Sequence, residues 1–248
     1  MSGYWLAIDT ATDIASVALG LREASAGVRA ESGAHVQGAR RHAAEIVRLV
    51  DFTLERVGMR PADLDGIVVG DGPGSFTGLR IGWAAAKGLA HEAGLELVTI
   101  PSLLAAAAGA AVKVGPVPIA ACFDALRGQV YGALYRIHPQ RVETLVPPAV
   151  MTVDEFVRVA PERPRLVVGD GAIRYTAAAR SWTGTDPVAP ENLPPAATML
   201  LTLLSHDGAG RVVDVLTAEP MYGRPAEAQV KWEARHGRPL PNPSSPSG

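Results

Sequence analysis

Hydrophobic positions come first in short apolar runs set off by turn formers and then in stripes with a helical period. Leu6 to Asp9 and Ala15 to Gly20 are apolar, β-branched runs around the turn formers Thr10, Ala11, Thr12 and Asp13, which predicts an opening hairpin. A third strand follows near Val28 to Val36, weakened by Gly33 and Gly38. From Arg41 to Val57 the period becomes helical. One stripe carries Ala43, Ile46, Val47, Val50, Leu54 and Val57, and a second carries Leu49 and Phe52 with His42 and Glu45. One stripe faces the parent core; the other is extra core or a partner surface. Gly66 to Gly70 predicts a short buried strand, Ser75 an N-cap, and the stretch to Ala93 a helix stopped by Gly94. A strand over Leu97 to Ile100 follows, then Ser102 capping an alanine-rich helix.

From Pro116 the order repeats: strands over Ile119 to Phe123 and Val130 to Ile137 around "DALRGQ", a helix over Val153 to Val159, a strand over Arg165 to Val168 and a loop "GDGA". Two related α/β lobes are expected, residues 1–104 with 218–235 and residues 105–217. A further helix is predicted over Ala196 to Ser205, Lys231 falls in a short terminal one, and 236–248 reads as a disordered Pro/Ser-rich tail.

Composition narrows the function. The 248 residues are 48% hydrophobic, enough for a sizeable core, and a net charge of −2 with no basic cluster speaks against independent nucleic-acid binding. A single cysteine, Cys122, excludes an intramolecular disulfide and any multi-cysteine metal site. With no signal-like leader and no apolar run near 20 residues, a cytoplasmic protein with no membrane contact is expected.

The candidate chemistry centres on "VVGDGPGSFTGLRIG", Val68 to Gly82. Leu79 and Arg80 after Gly78 rule out a Walker A loop, and Pro73 ahead of Ser75 rules out a nucleophile elbow. Thr77 leaves only a degenerate dinucleotide fingerprint after Gly72 and Gly74. An anion cradle and a tight structural turn both remain open. In the following helix Gly78 and Gly82 form a small-residue strip with Ala85 and Ala86, suited to close backbone approach. Phe76, Leu79, Arg80, Trp83 and Lys87 are expected on another side, where core and partner contact are both open. "HEAGL" lacks the second histidine of a zinc-peptidase helix, and His42 with Glu45 lacks a third ligand, so no metal is expected. Asp9, Thr10 and Thr12, with Asp13, could meet Mg²⁺ and phosphate or only bond their own turn.

Five stretches, "WLAIDTATDIASVAL", "GPGSFTGLRIG", "FDALRGQVYGALY", "VVGDGAIRY" and "AEPMYGR", together with His42, resemble the TsaB (YeaZ) family along most of the chain. That resemblance implies an actin- and hexokinase-like two-lobed ATPase fold. It implies a non-catalytic dimerisation subunit that pairs with TsaD through N-terminal-lobe helices, or with itself when alone. The complex transfers threonylcarbamoyl to N6 of adenosine 37 in ANN-decoding tRNAs, with TsaE in the larger assembly and tRNA engaged only through it. No cofactor is required, although ATP or ADP could bind at the complex interface. In this family the loop is a structural turn launching an interface helix. The family's Asp-Ala-Arg-x-Gly-Glu turn is altered here, with Leu126 and Gln129 in place of arginine and glutamate. The rival readings are a weak ATPase using Asp9, Thr10 and Thr12, or a peptidase, for which the sequence lacks the equipment.

Overall fold

A computed structural model describes residues 2–23, 27–38, 41–224 and 235–237. Strands β1 (Gly3–Asp9), β2 (Ile14–Glu23) and β3 (Gly27–Gln37) form an antiparallel meander, followed by α1 (His42–Glu55), β4 (Gly66–Gly70), α2 (Phe76–Ala93), β5 (Glu96–Ile100) and α3 (Ser102–Val114). The second half runs β6 (Pro118–Asp124), β7 (Val130–Ile137), β8 (Val142–Met151), α4 (Val153–Val159), β9 (Leu166–Val168), α5 (Asp170–Arg174), α6 (Thr176–Thr183), α7 (Ala196–Leu203) and β10 (Arg211–Val213).

The first sheet has strand order β10-β5-β4-β1-β2-β3 and the second β8-β7-β6-β9. β1 pairs antiparallel with β2 and parallel with β4, and β6 pairs in the same two ways with β7 and β9. The second lobe is therefore a shortened copy of the first.

Side-chain alternation sets the layers. On β1, Leu6 and Ile8 join Ile46, Val50, Trp83 and Ala86 of α1 and α2, whereas Trp5 and Ala7 point to the opposite face. That second face shares one apolar cluster with Leu103, Leu104 and Ala107 of α3, Leu200 and Leu201 of α7, and Ile119, Ala121 and Phe123 of β6. Ala120 and Cys122 of β6 face outward under Phe156 of α4. The order is helices, sheet, α3 and α7, sheet, helices. The alanine-rich α3 is buried on nearly all sides, which small side chains permit between two sheets.

Four expectations change. The strand β8 has no counterpart in the sequence reading; it contains Pro147 and Pro148, which an edge strand tolerates, with register shifts opposite Gly132 and Leu134. "GDGA" is not a loop: Gly169, at φ 107°, turns directly into α5. β10, assigned by sequence to the second lobe, pairs with β5 at the edge of the first sheet. Ser102 does not cap α3; it is the first residue of the helix, and its hydroxyl is spent elsewhere. Lys231 and residues 238–248 lie outside the described residues.

Candidate functional site

The glycine loop is held from below by the β1–β2 turn. Ser75 N–H donates to Ala11 O at 2.7 Å, and Ser75 Oγ accepts from Gly78 N–H at 3.2 Å, capping α2 as expected. Close approach explains the glycines. A Cβ at Gly74 would stand 2.2 Å from Ala11 O, at Gly78 2.1 Å from Thr10 O, and at Gly82 2.2 Å from Thr10 Oγ1. Gly72 has φ +97° and backs onto Met221 O, and Pro73 is buried beside it. Thr77 is exposed on the first turn of α2. The small-residue strip thus seats the chain's own hairpin turn.

The turn residues are equally committed. Asp9 is buried; its Oδ2 accepts from Ser102 Oγ at 2.6 Å and its Oδ1 from Ala11 N–H at 3.2 Å. Burial pushes its carboxyl above the ordinary range, against the pull of those two donors and of His42. Thr10 Oγ1 donates to Gly78 O at 2.7 Å, and Thr12 Oγ1 bonds both N–H and O of Ile14. The three side chains named for nucleotide chemistry all build the turn, and Thr12 also lines the cleft described below.

The outward face of α1 differs from the sequence reading. His42 is fully buried, with Nε2 3.2 Å from Asp13 O, so it holds the hairpin turn and is not a surface group. Glu45 is half-buried between Arg41 at 3.8 Å and Arg48 at 4.0 Å. Leu49 packs on the first-lobe core, while Phe52 remains 48% exposed under the Arg56 guanidinium. Val47, expected in the core stripe, is 61% exposed. Leu79 and Trp83 of α2, for which core and partner contact were both open, are buried in the core. The Trp83 indole N–H donates to Gly70 O at 3.2 Å, so substitution there tests folding, not binding. Gly88, with nothing within 4 Å of a Cβ, lies exposed in mid-helix without any packing reason inside the chain.

Between the lobes lies a cleft of about 620 Å³. Its second-lobe wall is the turn after β6, where Leu126, Arg127 and Gly128 all have positive φ, at 61°, 53° and 81°. Gln129 N–H to Leu126 O, Ala125 N–H to Gln129 O and Leu126 N–H to Asp124 Oδ1, each at 3.0 Å, hold that turn. Asp170 Oδ1 accepts from Asp124 N–H and Gly171 N–H, and Arg174 pairs with Asp124 at 2.9 Å. Asp13, Asp124 and Asp170 thus line one cleft. Arg127 and Arg224 line the same cleft, so charges of both signs face it. Among the described residues no group of three or more His, Cys, Asp or Glu side chains is placed to hold a metal ion, and no helix is long and apolar enough to cross a membrane.

Residues 36–180 match the family model described as TsaD: tRNA N6-adenosine threonylcarbamoyltransferase. Over nearly its whole length the chain is 30% identical to tRNA threonylcarbamoyladenosine biosynthesis protein TsaB of Escherichia coli, covering 94% of this chain and 98% of that one. To the Bacillus subtilis protein of the same name it is 32% identical, covering 92% and 96%. The chain belongs to the TsaB family. TsaB-family membership sits within the wider TsaD-related family that the model describes. A Pseudomonas aeruginosa structure, described as an uncharacterized protein with similarity to peptidase YEAZ, superposes with a TM-score of 0.71 at 27% identity, covering 90% of this chain and all of that one. The chain has the two-lobed actin- and hexokinase-like ATPase fold, with which its two similarly paired sheets agree.

In this TsaB-family chain the rest of the expected α2 face is covered from within. Tyr222 stacks on Phe76 with ring centroids 4.7 Å apart, and Arg80 lies over Phe76 at 4.2 Å while its Nε donates to Tyr222 Oη at 3.3 Å. Lys87 Nζ donates to Leu216 O and Ala218 O at 3.1 and 3.0 Å. Phe76, Arg80 and Lys87 therefore hold the chain's own C-terminal segment. Sequence reasoning used "AEPMYGR" only as part of a resemblance; the aromatic Tyr222 beside Gly223 was the signal that this segment packs.

Proposed function

We propose that this chain is a non-catalytic pairing subunit in tRNA threonylcarbamoyladenosine biosynthesis. It binds a TsaD-type transferase through the solvent side of α1 and α2, and the complex modifies N6 of adenosine 37, with TsaE and tRNA joining the larger assembly. In this reading the chain itself requires no cofactor. The observation that carries it is the apolar exposure of α1. Val47 and Phe52 of α1 are 61% and 48% exposed, and Gly88 of α2 is bare. Exposed apolar side chains on one helix and a position without a side chain on the other suit a helix-on-helix contact. The commitment of Asp9, Thr10 and Thr12 to the hairpin turn supports a partner role over hydrolysis.

Light scattering after gel filtration, on the chain mixed with the TsaD-type subunit of its organism, tests this. A one-to-one complex is expected, and Val47→Glu with Phe52→Glu should weaken it at least a hundredfold while leaving circular dichroism unchanged. The same face pairs two copies when the partner is absent, so the double variant should also run as a monomer. An undiminished complex in the double variant would place the contact elsewhere.

A further inference from the structure

Beyond any pairing role, and independent of it, the C-terminal segment 214–224 has the geometry of a clasp across the two lobes. On the first lobe, Met221 N–H donates to Asp71 O at 2.7 Å, and Gly72 lacks room for a Cβ because Met221 O would stand 2.5 Å away. Tyr222 is gripped by Phe76 and Arg80 at the start of α2. One residue later the contacts cross over. Gly223, at φ +69°, lies where a Cβ would be 2.6 Å from the Tyr131 ring of β7 and 3.1 Å from Pro73 of the glycine loop. Arg224 then hydrogen-bonds Gln129 Oε1 on the second-lobe turn. Tyr222 and Arg224 both form part of the cleft wall, so the segment spans the cleft it helps to line.

The chemistry of these contacts is that of a releasable joint. Val215, Ala218 and Tyr222 pack only partly buried against the two core clusters, the remaining contacts are mainly hydrogen bonds and cation–π pairs, and Leu216 and Met221 stay 72% and 37% exposed instead of being buried as anchors. The link to the second lobe runs from a guanidinium to a neutral amide, weaker than the same donor on a carboxylate. The turn it reaches holds two non-glycine residues at positive φ, a conformation that depends on its surroundings. We infer that segment 214–224 is an interlobe clasp which, through Tyr222 on α2 and Arg224 on the 124–129 turn, sets the width of the cleft and ties the placement of α2 to the second lobe.

Hydrogen–deuterium exchange on the full chain decides the matter. In Tyr222→Ala with Arg224→Ala, amides of 71–79 and 124–131 should exchange at least tenfold faster than in the parent, while those of α3 keep their protection. Gln129→Ala, which leaves the packing on α2 intact, should give the same acceleration over 124–131 and extend it to 221–224. The buried Cys122 checks the fold, since its thiol should stay inaccessible to a disulfide reagent in both variants. If the double variant exposes Cys122, Gln129→Ala alone decides. Acceleration confined to 218–224, or no change over 124–131 in Gln129→Ala, would show a passive tail and overturn the clasp.

Discussion

At the residue scale the least compensated group is Asp71, at the C-terminal end of β4. Its Oδ1 is buried with no hydrogen-bond partner, and Oδ2 lies 4.0 Å from Arg211 Nη2. Burial pushes its carboxyl up to about 6 from 3.8, with Arg211 opposing and Asp9 adding to the rise. A carboxyl raised on folding makes the native state bind the proton more tightly between the two values. The stabilisation is therefore full below about pH 4 and is lost as pH rises through about 6, a swing of about 3 kcal/mol. Asp71→Asn should remove that dependence. In urea unfolding, the difference between variant and parent should grow in favour of the variant by about 3 kcal/mol from pH 4 to pH 7, and parallel pH profiles would mean a solvated carboxylate. Trp83 teaches a related lesson at this scale. A tryptophan beside arginine and lysine on a helix looks like an interface anchor, yet its indole N–H finds Gly70 O beneath it, and a sequence does not show which carbonyl lies under a helix.

At the element scale α2 contains three glycines at different costs. Gly78 and Gly82 admit the Thr10 turn, whereas nothing stands near Gly88. Gly88→Ala should therefore stabilise the isolated chain by about 0.8–1 kcal/mol, a rise of roughly 2–4 °C in Tm, while Gly82→Ala should destabilise it by about 1–3 kcal/mol. A calorimetric scan of the two variants checks both signs. If the partner's backbone packs at Gly88, the more stable variant should also bind the TsaD-type subunit less tightly. The positions of most elements were legible, because Ser75 and Gly94 bound α2 by cap chemistry and short continuous apolar runs mark β1, β4 and β6, which are buried on both faces. β8 was not, since edge strands accept prolines that a sequence reader takes as breaks. Which faces point outward was not legible for a different reason: α1 and α2 have two apolar arcs each, and periodicity reports an arc without saying what covers it. On α2 the cover is the chain's own Tyr222, more than a hundred residues away in sequence.

At the scale of the whole molecule, two lobes read from a repeated sequence pattern need not be two folding units. α3 and α7 lie between the sheets, and their side chains share one apolar cluster with β1 and β6. A cut after residue 104 would run through α3 and strip Ala7 and Ile119 of a common cover, while β10 and α7 return to the first sheet late in the chain. Cooperative unfolding of both lobes follows. Cys122 provides an internal reporter for the second lobe. It is the one cysteine in the sequence, it is buried on the outer side of the second sheet, and burial first, then Asp170, pushes its thiol up to about 12. In a Trp182→Phe, Trp232→Phe background, which removes the second-lobe indole packed on Phe156 and the one outside the described residues, the fluorescence of Trp5 and Trp83, both buried in the first lobe, reports on the other half. Thiol exposure and fluorescence should follow a single urea transition with one midpoint. Cys122 reacting at a lower urea concentration would mean that the second lobe opens alone and that α3 and α7 belong energetically to the first.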